Sequence, residues 1–295
     1  MNPSATSEAP PADVALPRPD AADETVRLEP THGFSRVLAP SELWRFRDLA
    51  LQFAVRDITV RYRQTALGAG WAVLQPVGFM LVFSVFFGGL AGVASDGLPY
   101  PLFSLAGLVP WTFFSGVLVL GADSLVNNEA LVTKIYFPRI FLPAGALAAG
   151  IVDIAISFVI LVITAAIWGF LPTAQLLVVV LLMVILIATT LGVTTALAAI
   201  NVRYRDVRYA VPFMVQIWLF ATPIAYPSSL LSSPWRTISA INPMVGVVEG
   251  FRWAVLGHAS LPAAQIAVSA AASLIVLVAG LAYFDRVERK FADLI

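Results

Sequence analysis

Between residues 71 and 284 the chain is divided into long apolar runs separated by short polar ones, and the runs set its architecture. Residues 71–93 and 97–122 contain no Asp, Glu, Lys or Arg, and neither do 209–226 and 262–284, while 140–202 contains only Asp153. About 20 apolar residues are needed to cross a bilayer as a helix. The run at 140–202 is too long for one crossing, and "WGFLPTAQ" at 168–175 supplies the Gly and Pro for a tight turn between two. The pattern therefore predicts six transmembrane helices, near 71–93, 97–122, 140–168, 175–200, 209–226 and 262–284. Prolines at 99, 101 and 110 are expected to trim or kink the outer half of the second, with the kink at Pro110, and Pro227 to end the fifth.

Three further segments fit neither a span nor a free loop. "PSELWRFRDLALQFAVRDITVRYR" at 40–63 places Ser41, Arg45, Asp48, Gln52 and Arg56 on one face and Leu43, Phe46, Ala50 and Phe53 on another. This is an amphipathic helix, with Ser41 at its N-cap, lying in the inner membrane interface as an anchor or as a docking face. "NNEALVTKIYFPR" at 127–139 has room for about two helical turns before Pro138, and is either a lever for a cytoplasmic partner or a solvated connector. Residues 227–261 hold two apolar stretches of roughly 14 residues, each too short to cross, divided at Asn242-Pro243. These are expected to be two re-entrant outer helices between spans five and six, in the second of which Glu249 and Arg252 pair three residues apart, as a structural ion pair or as a substrate contact.

Charge fixes the orientation. Arg56, Arg61 and Arg63, then Lys134 and Arg139, then Arg203, Arg205 and Arg208, and finally Arg286, Arg289 and Lys290 all fall on one side of the six spans, with only Arg236 and Arg252 opposite. Basic residues close to span ends stay cytoplasmic, so the chain is expected in the cytoplasmic membrane with both termini inside and Trp71 at the headgroup level. Residues 1–39, rich in Pro, Ala and acidic residues without an apolar run, read as a disordered cytoplasmic tail that is no secretory signal, leaving 40–295 as one all-α membrane domain.

Composition agrees: mean hydropathy is +0.85, only 12% of residues are charged, and the formal net charge is zero, which gives no sign of a nucleic-acid partner. The 295 residues contain no cysteine and two histidines, which excludes thiolate chemistry and a Cys/His metal centre. No GxxxxGK[ST] phosphate loop, GxSxG elbow, HExxH helix or paired-carboxylate constellation is present, so no nucleotide site or catalytic residue is expected in this chain. Asp153, about 20 Å along its helix from the inner end, is a functional candidate as an intramembrane carboxylate, or else a protonated group bonded to a neighbouring helix. Asp123, near the inner end of span two, is accessible to water and carries less weight.

Four blocks, taken in order within the six-span frame, carry a resemblance. "RDITVRYRQTALGAGWAVLQP" at 56–76, "LVTKIYFPR" at 131–139, "NVRYRDV" at 201–207 and "INPMVGVVEGFRWAVLG" at 241–257 together resemble the ABC-2-type permeases that export lipid-linked polysaccharides or polyol phosphates. The resemblance covers about residues 40–290. It implies a homodimer bound to two copies of a separate ABC-type ATPase, which would hold the ATP and Mg, with no cofactor in this chain. It implies an interface helix at 41–58 forming a cytoplasmic gate and a coupling helix at 128–137 with contacts from Glu129, Leu131, Lys134, Ile135, Tyr136 and Phe137. Arg56, Arg61 and Arg63 lie where a carrier phosphate would arrive, although anchoring to the inner leaflet accounts for them equally. The resemblance also implies an outer gate containing Asn242, Pro243, Glu249 and Arg252. Spans one and five would line the path, with Phe79, Phe83, Phe86, Trp111, Phe114, Trp218, Phe220 and Tyr226 as channel aromatics that slide along sugar rings; for any one of them packing or lipid contact is the alternative. The glycan would be of the O-antigen, capsule, teichoic-acid or cell-wall type. The competing functions are an ABC-2 permease for small lipophilic molecules or drugs, a polytopic membrane glycosyltransferase, for which the inside loops are short and basic, and a proton-coupled carrier relying on Asp153.

Overall fold

The structure is a computed structural model that describes residues 40–63, 70–171, 173–257 and 260–288. The tail predicted over residues 1–39, the side chain of Arg63, and Arg289 and Lys290 lie outside the described residues. Twelve α-helices follow one another among the described residues, and these contain no strand: α1 (Pro40–Arg45), α2 (Arg47–Arg63), α3 (Gly70–Phe83), α4 (Tyr100–Ala122), α5 (Ser124–Asn127), α6 (Glu129–Lys134), α7 (Phe141–Ile167), α8 (Leu177–Arg203), α9 (Val207–Ala221), α10 (Ser233–Ala240), α11 (Pro243–Leu256) and α12 (Ala263–Glu288). A π-helical turn, Ser84–Leu90, extends α3. Among the described residues, five stretches are long and apolar enough to cross a membrane: Gly70–Leu90, Tyr100–Ala122, Phe141–Ile167, Ala174–Arg203 and Ala263–Glu288. Among the described residues the first helix is Pro40–Arg45, and Ser41 stands within it rather than at an N-cap.

Helix α9 is shorter than the apolar run that encodes it. It has 15 residues and ends at Ala221, where the sequence predicted helix to 226. The cause is Pro223: the ring of a proline disfavours helical geometry at the residue before it, and Thr222 is extended, with φ −105° and ψ 136°. Pro110 and Pro76 act differently, since α4 and α3 remain helical through them.

The core is organised around α4. Its apolar window is 78% buried, against 11% for the α3 span, so α4 is the central post and α3 a peripheral one. In lipid there is no hydrophobic force between helices, and close packing of small residues replaces it. The α8–α12 seam is built this way: a Cβ on Gly192 would lie 2.6 Å from Leu277 Cα, a Cβ on Gly280 would run into the Gly192 carbonyl, and the Thr189 and Ser273 hydroxyls are 2.6 Å apart. Helix α11 is buried against this pair, with Gly246 N–H donating to Ser269 Oγ at 2.9 Å and Gly250 lying under Leu182.

Helix α2 packs along α7 in the same direction, with Phe53 against Phe137, Asp57 at Gly145, and Arg61 and Tyr62 at Asp153. From Gly145 to Asp153 the two helices travel together for about 12 Å. The physical reason is Asp153, whose carboxylate finds its partners on α2.

Candidate functional site

Two polar assemblies stand out at opposite ends of the helix bundle. At the end where the basic loops gather, α2, α4, α7 and α9 enclose a cavity of about 860 Å³ lined by Arg56, Arg61, Gln75, Asn127, Asn128 and Gln216 among others. Each arginine is already paired. Arg56 Nη2 lies 2.9 Å from Asp57, and Arg61 Nη2 lies 2.6 Å from Asp153. Tyr62 completes the second pair by donating its hydroxyl hydrogen to Asp153. Burial, and then the carboxylate beside it, push the Tyr62 phenol up to about 12, which keeps it a donor. Asp153 is thus bonded to a neighbouring helix, through the Arg61 and Tyr62 side chains of α2.

The floor of this cavity is wired to the segment between α4 and α7. Arg56 Nη1 donates to Asn128 Oδ1 at 3.0 Å, and Asn128 Nδ2 donates to the Ser124 carbonyl at 2.7 Å. Asp123 is a junction: buried Asn201 of α8 donates to it at 2.8 Å and to the Ala122 carbonyl at 2.9 Å, while Arg208 of α9 approaches it at 3.7 Å. A displacement of α5 and α6 is therefore felt directly by α2, α8 and α9. Arg139 Nη1, donating to the Glu288 carbonyl at 3.0 Å, ties the far end of the same segment to α12. Of the predicted coupling residues, Glu129, Lys134, Ile135 and Tyr136 are exposed and Leu131 is partly buried. Phe137 is internal, stacked on Phe53 with ring centroids 5.4 Å apart.

At the opposite end, Arg252 is 4% exposed and fully engaged. Its Nε donates to the Phe103 carbonyl at 3.2 Å, Nη1 to the Pro223 carbonyl at 2.7 Å and to Glu249 at 3.3 Å, and Nη2 to the Ile224 carbonyl at 2.8 Å. Its guanidinium also stands 3.6 Å from the centre of the Phe103 ring. The unwinding of α9 frees carbonyls that buried backbone must satisfy, and one planar fork of five N–H donors meets them. Gly107 makes room, since a Cβ there would stand 3.0 Å from Arg252 Nη2. The other predicted outer-gate residues join the same knot. Asn242 caps α11 by accepting from Met244 N–H at 3.0 Å, accepts from Trp218 Nε1 at 3.1 Å and donates to Thr222 Oγ1 at 2.9 Å, and Pro243 is the first residue of α11. Glu249 also accepts from the Ser228 N–H at 3.4 Å.

The aromatic residues separate into two sets. Phe83, Trp111 and Phe114 are buried inside the subunit, and Phe114 packs edge-on to the partly buried Trp218 with centroids 5.0 Å apart. Phe79, Phe86 and Phe220 are exposed, and Tyr226, beyond the end of α9, donates to the Phe220 carbonyl at 2.9 Å. Sequence reasoning did not reach Asp57, Tyr62, Gln75, Asn128 or Asn201. Only Asp57 and Tyr62 left a signal, by standing next to Arg56, Arg61 and Arg63 in α2.

Residues 50–256 match the ABC-2 type transporter family. The chain belongs to that family. Individual relatives extend over most of its length. An O-antigen export system permease of Myxococcus xanthus is 30% identical over 255 residues, 85% of this chain and 97% of that protein. One from Klebsiella pneumoniae is 23% identical over 84% of this chain and 95% of its own length, and a polysialic acid transport protein of Escherichia coli is 23% identical over 78% and 90%. The matched region contains the basic-end cavity and the Arg252 knot, so both assemblies belong to the ABC-2 domain.

Proposed function

We propose that this chain is the membrane subunit of an ATP-driven exporter that moves lipid-linked polysaccharide outward across the cytoplasmic membrane. The observation that carries this is the near full-length similarity to O-antigen and polysialic acid export permeases. The chain works as a homodimer crossing the membrane six times per subunit, with its termini in the cytosol. In support, α9 starts beside the basic end, where Arg208 meets Asp123, and the chain that follows it reaches Tyr100 at the other end, whose hydroxyl donates to the Ala225 carbonyl at 2.7 Å. The α3 span is the least buried of the five long apolar stretches and α9 buries one residue, Val211, which leaves their faces, with Phe79, Phe86 and Phe220, for a second copy and for the path between copies.

Two copies of a separate ATPase bind ATP and Mg below the basic end and grip the exposed Glu129, Lys134, Ile135 and Tyr136. Their closure moves α5 and α6, and the Asn128–Arg56 bond passes that motion to α2, the wall of the 860 Å³ cavity. The carrier phosphate enters this cavity at Arg56, which is more exposed than Arg61. The Arg252 knot, at the far end, is the fixed side of the exit. Depletion of the chain is expected to remove glycan from the cell surface and to accumulate lipid-linked glycan inside, measured by glycan staining of whole cells and of extracted lipids. Unchanged surface glycan together with increased sensitivity to lipophilic drugs would instead identify a small-molecule permease.

A further inference from the structure

A second, smaller polar cleft branches from the cavity. It has a volume of about 90 Å³, and Arg61, Gln75, Ser115 and Gly116 line both spaces. Its other walls include Tyr62, Trp71, Asp153 and Ser157. The cleft has three features. One hydroxyl in it is uncommitted: Ser157, although only 3% exposed, makes no hydrogen bond to a described residue, and neither does the exposed amide of Gln75 at its rim. A serine on a helix normally bonds to a carbonyl of the preceding turn, whereas Ser157 leaves its hydroxyl available to whatever occupies the cleft it lines. Its charge is balanced, because the one guanidinium, Arg61, is matched by the one carboxylate, Asp153, at 2.6 Å. And Trp71 beside it is about half exposed.

These features select the ligand. An anion is less well matched here than at the more exposed Arg56, because the Arg61 guanidinium lies only 2.6 Å from Asp153, whose carboxylate would repel it. A purely apolar group would leave the Ser157 hydroxyl unpaired. A neutral polyhydroxylated ring satisfies every condition, because each hydroxyl both donates and accepts, matching a carboxylate, an amide and a hydroxyl together, while the C–H face of the ring lies on an aromatic surface. The volume holds roughly three waters at ~30 Å³ each, enough for the hydroxyl-bearing edge of a ring and not for a whole one.

We propose that this cleft is a subsite for one sugar residue, whose edge hydroxyls replace water at Asp153, Gln75 and Ser157 and whose ring face covers Trp71. It rests on the export function proposed above and adds selectivity to it: the hydroxyl configuration of a single sugar is read where the glycan enters.

The test uses the full chain in nanodiscs, titrated below the micelle concentration with octyl glucoside, octyl galactoside and octyl mannoside, with octyl tetraethylene glycol as the chain-matched control. Tryptophan fluorescence is expected to change saturably with at least one glycoside and not with the control. The change disappears in Trp71→Phe, and the double variant Gln75→Ala/Ser157→Ala weakens binding roughly tenfold. Neither substitution removes a bond that holds the fold. Absence of a saturable signal with all three glycosides, an equal signal from the control, or unchanged affinity in the double variant would each overturn the proposal. Saturable binding in a chain whose depletion leaves surface glycan intact would overturn export and leave the cleft standing; loss of export without glycoside binding would do the reverse.

Discussion

Arg252→Leu is expected to lower the stability of the protein by about 3–5 kcal/mol, the range for breaking a buried charge pair. The substitution leaves Glu249 without its cation and removes donors from the Phe103, Pro223 and Ile224 carbonyls at once. Those carbonyls belong to α4 and to the unwound chain after α9, so both would be released from α11 together. Arg252→Lys keeps the charge but replaces a planar fork by a single ammonium, and it should recover only part of the loss. Glu249→Gln, which removes one charge and keeps an acceptor, should cost the least of the three. Thermal midpoints in nanodiscs and the yield of monodisperse protein provide the measurement. An Arg252→Leu protein melting with the native chain would mean that other groups hold the exit end together.

Gly280→Leu is expected to be at least as damaging, for a steric reason. The contact at this position is backbone to backbone, since the Cβ would meet the Gly192 carbonyl, and a carbonyl within a helix has no rotamer by which to move away. Helices α8 and α12 must then separate, which breaks the Thr189–Ser273 hydroxyl contact and uncovers the buried face of α11. Even Gly280→Ala should cost on the order of 1–3 kcal/mol, the usual penalty of overpacking. Gly78 is the control, because nothing lies within 4 Å of its Cβ position, and Gly78→Ala should be neutral or slightly stabilising. A Gly280→Leu protein with native stability would show that the seam tolerates several ångströms of separation.

The sequence made some of these elements readable and hid others, for physical reasons. Charge-free runs marked the long helices because lipid excludes charge, and α11 was located almost to the residue, from Asn242-Pro243 at its start to Gly257 at its end. Both ends have local causes: the Asn242 side chain caps the first turn, and Gly257, with φ 61°, terminates it in the left-handed region that glycine tolerates. The end of α9 falls before Pro223 and not at Pro227 because the first proline reached already disfavours helix at the residue before it. The path of α2 could not be read from its own amphipathic pattern, since it is fixed by a partner 92 positions away, Asp153 for Arg61. Burial of Phe83, Trp111 and Phe114 was equally hidden, because a helix apolar on every face gives no indication of which face meets protein.

The account depends on the basic-end cavity facing the cytosol and the Arg252 knot facing outward. The chain contains no cysteine, so single cysteines introduced at Ser229, Ser260 and Ile135 report position without background. With a membrane-impermeant maleimide applied to intact cells, labelling is predicted at 229 and 260, and at 135 only after permeabilisation. Labelling of 135 in intact cells, with 229 and 260 protected until the membrane is opened, would contradict the orientation and with it the direction of transport.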